Sequence, residues 1–448
     1  MKKTIASIII CFLCFSINAQ VIYEDIESIK TNTTRQLKIK LPKGYDEESQ
    51  LKHPLIIVFD GDYLFEPVVG QVEFQTYFDD MPSSIIVGIM QGKDRFYDSY
   101  VDEATGLPYE SGMEFYEFVE TELIPYIDGK YNTGNFRVVV GHNAMGSFAN
   151  AFIMKPNPLF QAYVNLSPDF RGNISESLAA RLAWMENDFF YYMATSDNDI
   201  RPIRDGVLQA NQMLQEVNND KITYYFDDFD NESHYTLVTS GITRAFDKIF
   251  NLYKPLNDKE IKEKVVPYEG TLDKYLIERY KGINEMFGVD KPIPLEEFEK
   301  VAKVAEERKD IESFKGLAAL AKKQDPESML GPYYSGVYSE KNGKKARALK
   351  NYEEALKLNE EGHITVDFIM TKIEGLENLI MEEEEQEIAE KEKKRAEKEA
   401  EKAKKRDDKE LKQLEKELKK IEEEEKKAKE KKKKEEEEEN EENNEENN

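Results

Sequence analysis

The chain has 448 residues, of which 40% are hydrophobic and 11% aromatic, enough to bury a large core and to exclude wholesale disorder. Its 90 acidic residues against 63 basic ones leave a net charge of −27, which argues against a nucleic-acid binder and against electrostatic docking on anionic lipid. The two cysteines, Cys11 and Cys14, exclude a disulfide scaffold and a thiolate zinc site.

Residues 1–19 read as a secretory signal. Lys2 and Lys3 supply the positive end, and the apolar run Ile5 to Phe15 is too short to span a bilayer. Ala19 offers the small residue before a cut. Both cysteines fall inside the removed segment, which suits an oxidising compartment. The expectation is a bacterial exported protein, periplasmic or secreted, with no transmembrane helix in the mature chain.

Residues 22–254 alternate strand and helix patterns. Leu37, Ile39 and Leu41 alternate as in a strand. Six runs follow, starting at Pro54, Ser84, Phe136, Ala162, Phe189 and Ile222; being apolar on both faces, they suit a parallel sheet covered on both sides. Between them lie apolar helical stripes: Phe115, Phe118, Val119, Leu123 and Tyr126; Met145 to Met154; and Val207 to Val217. This predicts a doubly wound, mostly parallel α/β domain.

Residues 258–378 are helical in pattern. Ala302, Phe314, Ala318 and Ala321 are echoed 34 residues on by Gly336, Ala348, Tyr352 and Ala355. A helix–turn–helix unit of this period resembles tetratricopeptide repeats, which bind peptides or buttress a neighbour. Residues 381–448 hold 29 acids and 21 bases, with no aromatic, Gly or Pro. Glu–Lys pairs four apart favour a solvated helix, and Leu411, Leu414, Leu418 and Ile421 mark a heptad seam too short for a stable coiled coil. The Asn- and Glu-rich end after Glu439 is expected to be disordered.

Ligand sites in an α/β sheet lie at the carboxyl ends of the strands. Three segments there carry chemistry: Val140-Gly-His-Asn-Ala-Met-Gly146, Ser196-Asp-Asn-Asp199 and Asp230-Asn-Glu-Ser-His234. No HxxxH, calcium-loop, P-loop or dinucleotide pattern occurs, so no metal or cofactor is expected. Of the other histidines, His53 is expected at the surface, His142 beside the turn it precedes, and His363 exposed.

The layout from about residue 30 to 253 resembles the esterase family of α/β-hydrolases that includes enterochelin esterases and esterase D. The resemblance rests on Arg35 to Tyr45, similar to the family's opening strand; Phe59-Asp-Gly-Asp62, similar to its oxyanion loop; Ser111 to Ile127, similar to its "SG…F…ELIPYI" helix; and Gly141-His142, the approach to its nucleophile elbow. Leu166-Ser-Pro168 and His234 fit later landmarks. The resemblance implies His234 as general base and Asp199 as the acid that orients it, with Asp197 the alternative acid. It implies backbone N–H groups of Gly61, Asp62 and Ala144 as the oxyanion hole. Asp94 to Asp98 resembles a loop beside the pocket; a surface ion pair is the other reading.

The nucleophile position departs from the family. It holds Asn143, and a carboxamide does not attack esters. The glycine expected two residues on is Met145. Asn tolerates positive φ, so the turn can be kept while the attack is lost. Ser147, one helical turn later, would point into helix–sheet packing, and Ser167 belongs to a wall loop. The sequence therefore predicts an esterase-like protein that no longer hydrolyses by serine chemistry. It would bind a small acyl or ester ligand, or a protein through its helical repeats or tail. The alternative is an active acyl hydrolase with an atypical nucleophile.

Overall fold

The computed structural model describes residues 21–445, so the expected signal segment lies outside the described residues. Eight strands form one sheet in the order β1-β2-β4-β3-β5-β6-β7-β8. They are β1 (Ile22–Ser28), β2 (Thr33–Lys40), β3 (His53–Val58), β4 (Ile85–Met90), β5 (Thr133–His142), β6 (Ala162–Leu166), β7 (Phe189–Asn198) and β8 (Ile222–Ser233). β1 pairs β2 and β2 pairs β4 antiparallel; every other pair is parallel. This is the mostly parallel doubly wound sheet that the apolar runs predict.

The strand period of two sorts the side chains onto two buried faces. Leu55, Ile57 and Phe59 enter a core with Phe115, Phe118, Phe148, Phe152, Leu178 and Val207. On the opposite face, helix Leu237–Ile249 packs on β6, β7 and β8 and beside helix Phe65–Tyr77. A wider π turn at Val119–Leu123 interrupts the helix that begins at Ser111. Its extra residue rotates the stripe, so Ile127 is buried while Tyr126 lies on the outside.

Three sequence expectations change. β1 is a strand that alternation does not reveal, because inward-facing Glu24 sits between Ile22 and Ile26; its carboxylate accepts from Tyr126 and Tyr131 at 2.8 Å each. β7 and β8 continue as a paired ribbon through Asn198 and Ser233, where the Asp-rich sequence reads as loop. His53, expected at the surface, is buried on β3 with Nδ1 2.9 Å from the Ser83 carbonyl.

The chain divides into two compact units at Gln324/Asp325. Helices Leu272–Phe287, Leu295–Glu307 and Ile311–Gln324 fall in the same compact unit as the sheet. Phe287 meets Phe136 of β5 edge-on at 5.0 Å and Phe250 at 5.3 Å, and Glu297 accepts the Leu256 amide at 2.9 Å.

In the second unit, helices Leu330–Lys341 and Lys345–Ala355 form a hairpin. A Cβ at Gly336 would lie 2.2 Å from the Tyr352 ring, so the missing side chain makes the space the ring fills. One helix then runs from Val366 to Glu445, past the point where disorder is expected. The Leu411, Leu414, Leu418 and Ile421 seam is exposed, and Glu387–Lys391, Glu390–Lys394 and Glu401–Lys405 pair along the surface. No helix among the described residues is long and apolar enough to cross a membrane.

Candidate active site

β5 ends at a sharp turn into helix Ala144–Ala149. Asn143 occupies the tip with φ 57° and ψ −126°. Two glycines permit the turn. A Cβ on Gly141 would lie 2.6 Å from the Met145 carbonyl oxygen, and one on Gly146 would lie 3.0 Å from the Gly141 oxygen. Strand and helix therefore approach through Gly141 and Gly146, and Met145 needs no glycine. It is fully buried, with its sulfur 3.6 Å from Gln91 Nε2.

The structure brings Asn143, His234 and Asp199 into one line. Asn143 Nδ2 donates to His234 Nε2 at 2.9 Å, and His234 Nδ1 meets Asp199 Oδ1 at 2.7 Å. An amide nitrogen can only donate, so Nε2 is the accepting nitrogen and the imidazole proton sits on Nδ1, facing the carboxylate. Burial opposes ionisation of Asp199. Hydrogen bonds from His234, Ser167, Thr195 and the Ile200 amide outweigh it and hold the carboxyl below the ordinary carboxylate range. Asp197 does not reach the histidine; it accepts the Asn231 amide at 2.7 Å at the exposed end of the ribbon.

The expected oxyanion donors separate. The Gly61 N–H is taken by the Ile89 carbonyl at 2.8 Å. The Ala144 N–H donates to Asn143 Oδ1 at 2.6 Å. The Asp62 N–H has no acceptor among the described residues, while the Asp62 carboxylate accepts the Gln91 and Gly92 amides at 2.9 and 3.0 Å. Asn143 thus holds the base with one end of its carboxamide and an N–H at the helix start with the other.

Neither alternative serine reaches Nε2. The Ser147 amide bonds the Asn143 carbonyl within the helix start, and its side chain is buried. Ser167, with φ 46° and no exposure, donates to Asp199 Oδ2 at 2.6 Å and lies 3.0 Å from His234 Nδ1. It braces the far side of the imidazole.

Sequence reasoning misses the opposite wall. Tyr63 Oη lies 3.0 Å from both Asp60 Oδ2 and His142 Nδ1, and His142 Nε2 reaches the His234 carbonyl at 3.1 Å. Arg95 clasps Asp60 at 2.5 and 3.0 Å. Burial lifts the Asp60 carboxyl above its usual range, against the pull of Arg95. Burial likewise depresses His142 to about 4, so it is neutral at ordinary pH. Of the loop at 94–98, Asp98 is buried and receives Arg35 at 2.7 and 2.9 Å. Gln91 joins the two halves, donating to Asp98 and accepting the Asp60 amide. The positive φ of Asp60, 53°, is the backbone sign of this tight loop, and it is invisible in sequence.

A parallel-sheet scaffold with an elbow after β5, an acid after β7 and a histidine after β8 is that of an α/β-hydrolase. The family model "Putative esterase" matches residues 28–200. A crystal structure of an uncharacterised protein from Capnocytophaga ochracea is 30% identical, with a TM-score of 0.73, and the match covers 80% of this chain and 100% of that one. An IroE-like serine hydrolase from Shewanella oneidensis is 21% identical with a TM-score of 0.52, covering 68% and 99%. No curated protein matches the sequence. Over residues 28–200 the chain belongs to the esterase family, on an α/β-hydrolase fold.

Proposed function

We propose that this protein is an exported member of the family that binds an ester or acyl ligand without hydrolysing it by serine chemistry. The observation that carries the reading is the double engagement of Asn143. Serine catalysis needs a hydroxyl that gives its proton to the histidine and then attacks. Here the group facing His234 Nε2 is an amide nitrogen whose lone pair is delocalised, and its carbonyl end occupies the Ala144 N–H. Tyr63 and Tyr235 are exposed beside the two histidine rings, next to the ion pair that Arg95 makes with Asp60. The two exposed rings suit an acyl ligand with an aromatic part.

The helices after the sheet and the charged helix are read as the surface for a protein partner, and residues 1–19 as the export signal. The test compares the wild-type protein with Asn143→Ser on short acyl esters and with a serine-reactive phosphonate. The reading requires no adduct and no turnover above background in the wild type. Wild-type turnover that disappears in His234→Ala would overturn it.

A further inference from the structure

The elbow conformation acts on the side chain it carries. Substituents on a tetrahedral Cα are about 120° apart, so a ψ of −126° brings the Asn143 Cβ to within roughly 10° of eclipsing the Ala144 nitrogen across the Cα–C bond. Helical and extended residues keep those two atoms far from eclipsed. Asn150, Asn173, Asn257 and Asn342, with ψ of −18°, 27°, 167° and 7°, are nowhere near it. The eclipsed form is the one that a five-membered imide ring between Cγ and the next backbone nitrogen requires.

The side chain is already folded for that closure. Oδ1 lies 2.6 Å from the Ala144 nitrogen, and Cγ is one bond behind it. Ala144 is the first residue of its helix, where an N–H has no intrahelical partner to lose. Nδ2 faces His234 Nε2 at 2.9 Å, a group able to relay a proton to a departing nitrogen. Asn143 and Ala144 are only half-buried, so water reaches them.

We propose that Asn143 is a self-modification site, cyclising onto the Ala144 nitrogen and opening with water to aspartate or isoaspartate. In the first step the N–Cγ bond forms and the Cγ–Nδ2 bond breaks. The proton leaving the Ala144 nitrogen ends on Nδ2, which departs as ammonia. In the second, water adds across one imide C–N bond, its hydroxyl to the carbonyl carbon and its proton to the nitrogen. Opening at Cγ gives aspartate with the main chain restored; opening at the other carbonyl gives isoaspartate. The aspartate product carries a carboxylate, a group capable of nucleophilic attack, opposite His234.

The test incubates the full-length protein at mildly alkaline pH, folded and in urea, followed by intact mass and peptide mapping. The expected course is transient loss of one ammonia, about 17 Da, then a net gain of about 1 Da, both confined to the peptide containing Asn143. Conversion should run at least ~10-fold faster in the folded protein than in urea, because the fold holds the near-attack geometry. Asn143→Gln, whose longer side chain misplaces the carbonyl, should show no mass change at that peptide; should it fail to fold, the folded-against-urea comparison decides alone. An unchanged Asn143 peptide, or conversion no faster in the folded chain than in urea, would overturn the proposal.

Discussion

The elbow at Asn143 and the segments that carry Asp199 and His234 meet at the Asn143–His234 hydrogen bond, yet differ in the groups they present. On the acid–base side, each polar atom of the His–Asp pair has a partner suited to proton abstraction: Nδ1 on Asp199, and Asp199 on Ser167, Thr195 and Ile200. On the elbow side the backbone makes a sharp turn with positive φ and two close glycine contacts, and a carboxamide rather than a hydroxyl stands at its tip. The backbone is fixed by packing, and packing is indifferent to which short polar side chain sits at the tip. Reactivity rests on one atom. Scaffold and chemistry are therefore separable here.

The strongest way to break that comparison is to return a hydroxyl to the tip. Asn143→Ser should raise ester turnover by about three orders of magnitude or more, given that removing such a nucleophile costs more than that elsewhere, and His234→Ala in the same background should abolish the gain. A silent Asn143→Ser protein would mean that the acid–base side, or the oxyanion site whose Gly61 N–H is already taken, is impaired as well.

The next effects are on stability. Asp98→Ala strands Arg35 in a buried site and frees Gln91, and urea unfolding should report a loss of about 3–5 kcal/mol. Gly141→Ala pushes a methyl against the Met145 carbonyl and should cost about 1–3 kcal/mol. Loss of stability without loss of the Asn143–His234 contact would show that packing alone shapes the elbow.

The smallest effect is on pH dependence. The folded protein holds His142 near 4, below its ordinary value of 6.5, so between those values the unfolded chain binds more protons. Stability should rise with pH across that window, by at most about 1.4 kcal/mol per unit from this group, and level off above it. His142→Gln should flatten the slope. Buried His53, also depressed, contributes in the same direction and remains in the variant.

The sheet was legible because buried parallel strands are apolar on both faces, and seven of its eight strands follow from such runs or from simple alternation. β1 was hidden by one inward glutamate, and the ends of β7 and β8 by aspartates that read as loop. Asn143, His234 and Asp199 could be named because each follows a recognisable strand and falls on a landmark of the family the sequence resembles. Their supports could not. Gln91, Tyr63 and Ser167 each make at least one contact spanning 31 to 79 positions in sequence, and nothing local marks a serine as a brace or a glutamine as a tie. Composition suggests a domain boundary near residue 254, and Phe287 packs across it on Phe136 and Phe250.

The turn that supports Asn143 has a genetic corollary. Codons for asparagine and serine differ by a single base, and the glycines, the imidazole and its carboxylate that a hydroxyl would need are all in place. One base change therefore puts a serine at this elbow, and a growth selection demanding ester cleavage should find that mutation first.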